Sequence, residues 1–439
     1  MKPHRIVLLL AALLGLATGA KSTTTGVQPE ASLLDGIAND YVKLVLAVGQ
    51  HDPDYVDAYL GPPEWKEEAA RTSRSLADLG AAATALEKRL QTVELTLHGS
   101  TEGQRLRYLE AQIRSVGNRI SLLSGHTVPF DEETRLLYDT VLPDFASGHF
   151  ESIRTRIDHL LPGEGPLVDR VVRFQERFVV PREKVEVVMR AAVAECRRRT
   201  LDHLALPKHE GFRLEFVTGQ PWNAYNWYRG NAQSVIQINL DLPFRLEKAI
   251  NLAAHEGYPG HHVQGTLHEI EFVGERGWRE WQVYPLFSPR SVVDEGGADF
   301  GIEVAFSPDE LVQFGRDVLF PLAGLDPAEA TRYFEVTRLL GLELQPLRSD
   351  IARRYLDGKL GADEAVTLLS GEGLLPRAEA LKALDFARRY RGYLVTYDSG
   401  YALVKKHLET HGGTTNNPNR RWELFLELIR TRTIPSALR

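Results

Sequence analysis

The stretch NLAAHEGYPGHHVQG, residues 251–265, has the residues of a metal-binding helix but not its usual spacing. His255 and Glu256 open it, His261 and His262 close it, and Pro259–Gly260 lies between them. In the HExxH pattern of zinc peptidases, two histidines four apart share one helical face with the glutamate beside the metal. Here the residue four after His255 is Pro259. On a straight helix, turning about 100° per residue, His261 faces the wrong way; His262 faces the right way but lies about 10 Å along the axis. Pro259 removes a backbone donor and Gly260 adds backbone freedom, so a straight helix is not expected. A kink or bulge there can swing one of the two histidines back toward a metal.

The flanking segments add to this reading. Residues 212–244 are rich in β-branched and aromatic residues, with turns at Gly219–Pro221 and Gly230–Asn231. Within them SVIQINLDL, residues 234–242, reads as a strand: either an edge that could pair with an extended peptide or part of a structural hairpin. Helical periodicity resumes at RLEKAINLAAHEG, so a small sheet feeds into the helix carrying His255. Downstream, SVVDEGGADFGIEVAF supplies Asp294, Glu295, Asp299 and Glu303. Glu295 and Asp299, four apart, share one helical face. That suits a metal ligand followed by a carboxylate that orients a ligating histidine. Gly296 and Gly297 are expected to let this helix approach the first one closely. His268 and Glu269 read as exposed helix residues. A catalytic zinc takes three protein ligands and keeps an open position for water, with a carboxylate base nearby. Glu256 is placed to be that base.

The remaining sequence is mostly helical. SLLDGIANDYVKLVLAVG, SLADLGAAATALEKRLQTVEL, TEGQRLRYLEAQIRSVGNRISLLSG and REKVEVVMRAAVAECRRRTLDHL place apolar residues three and four apart. Thr101 with Gln104, Ser307 with Glu310, and Asp326 with Glu329 each fit a capping box. The chain reads as mainly α, one large domain over 31–439. Its parts are an N-terminal helical part (31–205) and a metal-site part (206–439). The first 20 residues have a basic start, an apolar run from Ile6 to Ala17 and small residues after it. That is the order of a signal peptide cleaved after Ala20, with an uncleaved anchor as the alternative. Residues 21–30 read as a flexible linker. The expected location is periplasmic or secreted, with no stable membrane insertion after cleavage.

The formal charge of −7 on 439 residues, and the lack of a long basic run, argue against nucleic acid as a partner. Cys196, the one cysteine, excludes an internal disulfide, a four-cysteine zinc site and an iron–sulfur cluster. Its helical context suggests a buried, inert thiol.

HEGYPGHHVQ resembles the HExxPGHxxQ signature of a bacterial family catalogued as domain of unknown function 885, a branch of gluzincin-like zinc metallopeptidases. HDPDYVDAYLGP (51–62), DEGGADF (294–300) and RRYRGYLVTYDSGYALVKKHL (388–408) resemble further segments of that family. The resemblance implies a large helical gluzincin-like metallopeptidase domain with a small β-sheet next to the active-site helix. It implies zinc (Zn2+) as cofactor, held by His255, His261 and Glu295. Glu256 would be the general base, and Asp299 would orient a ligating histidine. Tyr397, on the family's tyrosine position, is the candidate donor to the developing oxyanion. Gly297 and Phe300 depart from the tryptophan and tyrosine usual at their positions.

The expected function is a zinc-dependent hydrolase cleaving a peptide or another amide. A non-peptide amidase or esterase with the same chemistry is one alternative; an exported scaffold with a non-catalytic zinc is another. Three ligands beside a glutamate suit catalysis better than a closed structural site.

Overall fold

The computed structural model describes residues 27–93, 100–220, 222–431 and 433–439. The expected leader and its cleavage point lie outside them. The first helix spans Val27–Val48, so the end of the segment read as a linker is helical. Helices make up most of the described chain, and strands are few and short: the fold is mainly α.

Two apolar cores organise the helices. The first gathers the N-terminal helices. On Val27–Val48, Leu34, Ile37, Ala38, Tyr41, Val42 and Val45 recur three and four apart and are all buried. They pack with Leu86 and Leu90 of Leu76–Leu90, with Leu109 and Ile113 of Thr101–Leu123, and with Leu137 of Phe130–Tyr138. The second core runs from Ile153 to Leu438 and includes Val188, Met189, Ala192 and Cys196 of the helix Val185–Leu201. Cys196 is fully buried there, and burial pushes its thiol pKa upward, as expected for an inert side chain. The first core takes buried residues up to Leu142 and further ones between Val283 and Val395, while the second begins at Ile153.

The helix Pro289–Ala305 joins the two. Its neighbouring Val292 and Val293 point about 100° apart, so one enters the first core and the other the second. The helix Val395–Thr410 runs alongside, with Val395 in the first core and Val404 and Leu408 in the second. A buried ion pair ties the segment before β5 to the N-terminal helices: Arg105 donates to Glu280 Oε1 at 2.6 Å and to Asp35 Oδ1 at 2.7 Å.

Five strands form two sheets. β1 (Val56–Tyr59) pairs antiparallel with β5 (Val283–Pro285). β2 (Gly211–Val217), β3 (Ala224–Gly230) and β4 (Gln233–Asn239) form the other sheet, in the order β2–β4–β3. β4 is therefore central: parallel to β2 and antiparallel to β3. Of the two readings of SVIQINLDL, the structure has the hairpin, β4 pairing antiparallel with β3, and not the edge: β2 and β3 are the outer strands. Its pattern fits this position. Ser234, Val235, Ile236, Ile238 and Asn239 are buried on both faces, as a central strand requires.

Caps set several helix starts. Ser307 and Glu310 form the expected capping box. At the fourth helix the cap is Ser100 rather than Thr101, its hydroxyl accepting from the Gly103 amide. Asp326 caps through the Ala328 amide, while Glu329 turns to Arg177 and Arg332. Ser75 with Asp78 makes a further box.

Candidate metal centre

The helix that carries His255 does not run straight. It is α-helical over Leu246–Leu252 and widens to a π-turn over Ala253–Gly257. The Tyr258 amide then reaches back to the Ala253 carbonyl at 2.9 Å. After the cis Tyr258–Pro259 peptide, a new helix starts at His261, with Gly260 as its first flanking residue. A Cβ on Gly260 would lie 1.8 Å from the His255 carbonyl oxygen, so the turn can close only on glycine. The π-turn and the break together supply the swing that the irregular spacing called for.

The break separates the two adjacent histidines. His261 turns toward His255, their rings 4.7 Å apart and nearly perpendicular. His262 turns the other way into the second core and is fully buried. Its Nδ1 meets Ser234 Oγ at 2.9 Å and its Nε2 meets Glu210 Oε2 at 3.0 Å. Glu210 also accepts from Arg197 and Tyr258. Burial alone would raise the Glu210 carboxyl, but bonds from His262, Tyr258 and Arg197 outweigh it and hold it down at about 2. His262 thus anchors the new helix to the sheet.

Glu295 completes the cluster from the helix Pro289–Ala305. Its Oε2 lies 3.4 Å from His255 Nε2 and its Oε1 lies 3.5 Å from His261 Nε2. The three donor atoms all fall within 4.8 Å of one another. Each histidine is oriented from behind. His255 Nδ1 meets Asp299 Oδ1 at 2.8 Å, and His261 Nδ1 meets Gln264 Oε1 at 3.0 Å. With Nδ1–H given to these acceptors, both Nε2 lone pairs face the middle of the cluster. Gln264 is held in turn by donating to the Asp294 carbonyl at 2.9 Å.

Burial and charge act against each other here. Burial disfavours the His255 imidazolium, but Asp299, Glu295 and Glu256 outweigh it and raise its pKa. His261 is raised in the same way, chiefly by Glu295. Burial would lift the Glu295 carboxyl, yet the two histidines hold it well below the usual carboxylate range. Glu256 is pushed up by burial, partly offset by His255 and His261. Among the described residues no hydrogen bond or ion pair ties down its carboxylate. Its backbone carbonyl accepts from Asn226 of β3 at 2.6 Å.

The glycines after Glu295 divide the task expected of both. Gly297 faces Gln264 of the His261–His268 helix, with its Cβ position 3.0 Å from Nε2. Gly296 instead meets the Val395–Thr410 helix, where a Cβ would come within 2.2 Å of the Gly400 carbonyl carbon. The two backbones touch at this glycine pair, which sets the position of Glu295 one residue away.

Tyr397 lies within range of the charges of Glu295, Asp299 and Glu256, with its ring edge-on to Tyr393 at 5.6 Å. The tyrosine bonded to the cluster is Tyr393, which donates to Glu295 Oε1 at 2.8 Å. Sequence reasoning passed over Tyr393. Gln264, three residues after His261, could have been found from helical spacing. His268 and Glu269 are not free surface residues. His268 is buried, its Nε2 2.9 Å from the Ile429 carbonyl, and burial lowers its pKa to about 4. Glu269 accepts from the Tyr228 hydroxyl and the Asn231 amide. No helix among the described residues is long and apolar enough to cross a membrane.

No family model matches the chain, and no curated protein matches it. Among solved structures, the chain is similar to one described as "putative lipoprotein" from Colwellia psychrerythraea. The identity is 14%, the TM-score 0.51, and the match covers 85% of this chain and 67% of that one. A second, described as a "putative lipoprotein of unknown function" from Shewanella oneidensis, has 13% identity and a TM-score of 0.44, over 83% of this chain and 75% of that one. At such identities the first similarity speaks to the fold alone.

Proposed function

We propose that the chain is a zinc-dependent hydrolase, a metallopeptidase whose metal would be held by His255, His261 and Glu295. One observation carries this reading: the separations of 3.4 and 3.5 Å between the Glu295 oxygens and the two Nε2 atoms. Two donors at about 2.1 Å from a tetrahedral ion stand about 3.4 Å apart. They are too far apart for strong hydrogen bonds to each other, and both imidazoles already give their Nδ1–H elsewhere. Three donor residues rather than four suit a site left open for a substrate.

Zinc, when bound, supplies a Lewis acid that polarises a carbonyl and makes a water more acidic. The chain's own residues do the rest. Glu256 is buried, its pKa is raised and its carboxylate is otherwise untied, so it can take a proton from the attacking water and deliver it to the leaving amine nitrogen. Asn226 and the π-turn fix its backbone. The Tyr397 hydroxyl is the proposed donor to the developing oxyanion. The outer strand β3, which holds Glu256 in place through Asn226, replaces β4 as the strand beside which an extended substrate would lie. We place the protein outside the cytoplasm. The leader-like N-terminus supports this, as does the solved structure of similar fold described as a "putative lipoprotein".

The test is Glu256→Gln in zinc-loaded protein assayed on a peptide library. Zinc content by elemental analysis should stay near one per chain while hydrolysis falls about 10²–10⁴-fold. Near wild-type hydrolysis in the variant, or no bound zinc in the wild type after reconstitution, would overturn the proposal.

A further inference from the structure

One more carboxylate faces the cluster, and it comes from the far end of the sequence. Asp57 lies on β1, which pairs with β5 just ahead of the helix carrying Glu295. The register matches Val56 with Pro285 and Ala58 with Tyr284, leaving Asp57 as the extra residue of a bulge. A bulge of this kind re-aims a side chain. Here it directs Asp57 toward Tyr225 of β3, whose hydroxyl donates to Oδ1. In that position Asp57 lies within range of the charges of Glu295, His261 and Glu256. Tyr284 stands opposite Ala58 on β5, Tyr393 bonds Glu295, and Asn226, next to Tyr225 on β3, holds the Glu256 carbonyl.

Asp57 differs from the other acidic groups of the cleft. Glu295 belongs to the donor set, Asp299 is bonded to His255, and Asp294 is paired with Arg290 at 3.0 Å. Among the described residues no Lys, Arg or His forms an ion pair with Asp57, and Oδ2 has no protein partner. Among the described residues no Lys or Arg bonds to the donor residues or to Glu256 either, which favours an amine over a C-terminal carboxylate as the group received. A part-buried carboxylate beside a proposed hydrolytic centre, with one oxygen fixed by a phenol and the other unpaired, calls for a cationic group on the ligand.

We propose that Asp57 receives the protonated α-amino group of the substrate, so that the site takes peptides with a free N-terminus. This rests on the hydrolase reading of the His255–His261–Glu295 centre and narrows its substrate class. Asp57 is here a specificity-determining residue that touches substrate, and Tyr225 holds it in place.

The experiment uses the zinc-loaded full chain and two alanine tetrapeptide amides, one with a free N-terminus and one N-acetylated. Wild type and Asp57→Asn are compared by kcat/KM and, separately, by calorimetric binding of both peptides to a Glu256→Gln background. Asparagine keeps the shape and can still accept from Tyr225; a melting curve within a few degrees of wild type shows that the fold survives. Wild type should prefer the free amine about 10- to 100-fold, the worth of one charge-assisted hydrogen bond. Asp57→Asn should remove that preference and leave the acetylated peptide within about twofold. Equal handling of both peptides by the wild type overturns the proposal. So does an equal loss on both peptides in Asp57→Asn, which would mark a structural role. If neither peptide is cleaved, binding still decides: a free-amine preference lost in Asp57→Asn supports amine recognition while the hydrolase reading fails, and equal binding overturns it.

Discussion

His261 and His262 are neighbours of identical chemistry, yet replacing each by alanine should produce opposite losses. His262 is fully buried, with one ring nitrogen on Glu210 and the other on Ser234. Its removal forfeits a bond to a charged group worth about 1.5–3 kcal/mol and leaves the Ser234 hydroxyl without a partner at about 1 kcal/mol. It also opens a ring-sized hole between β4 and the His261–His268 helix, for a total of about 3–5 kcal/mol. That is a large share of the 5–15 kcal/mol a folded domain holds in reserve. His261 is only part-buried, and among the described residues its ring bonds Gln264, with Glu295 an ionic neighbour at 3.5 Å. Its loss should cost the metal-free protein about 1 kcal/mol or less. It should also weaken zinc binding by more than the roughly 10–100-fold typical of losing a group behind a ligand. Urea unfolding of the metal-free proteins, followed by circular dichroism, reads the first effect; zinc titration of the folded proteins reads the second. The reasoning fails if His262→Ala loses zinc while keeping its stability, or if His261→Ala is the one that unfolds early.

Two further outcomes follow from other parts of the site. Burial lifts the Asp398 carboxyl to about 7, with one of its buried oxygens left without a hydrogen-bond partner, so the folded chain holds this proton after the unfolded chain has released it. The stability so gained is complete below about pH 4 and is lost as pH rises through 7. Asp398→Asn should therefore gain up to about 4 kcal/mol relative to wild type between pH 4 and 8, and an unchanged difference across that range would refute the assignment. Gly400→Ala would place a methyl 2.4 Å from the Val292 carbonyl oxygen. It should cost about 3 kcal/mol and weaken zinc binding by displacing Glu295, whereas Gly341→Ala, with open space around it, should do neither; thermal melts with and without zinc compare them.

What the sequence made legible was local. Apolar spacing gave the helices, and Pro259–Gly260 marked where the metal helix breaks. The choice between His261 and His262 was not settled by spacing, because a π-turn changes the angle per residue. The central place of β4 was readable in principle: Val235 and Ile236 are apolar on successive residues, which suits two buried faces better than an edge. The cap at Ser100 was displaced by one because Ser100 and Thr101 carry the same chemistry and only the extended backbone of Ser100 decides between them. Partners far apart in sequence stayed hidden. Ile429 buries His268, and the β1–β5 pairing brings Asp57 to the cluster.

The helix that spans both cores has a consequence for when the site can exist. Val292 belongs to one core and Val293 to the other, and Glu295 follows within one turn, next to the Gly296 that packs on Gly400. Neither half of the chain can position that carboxylate alone, since each fixes only one side of the helix. Tyr393, the hydroxyl that steadies Glu295, comes from the last tenth or so of the chain. The cluster is thus a product of complete folding. A partly folded or C-terminally shortened chain would present two histidines without their third partner, and a hydrolase built this way would stay inert until both cores had closed.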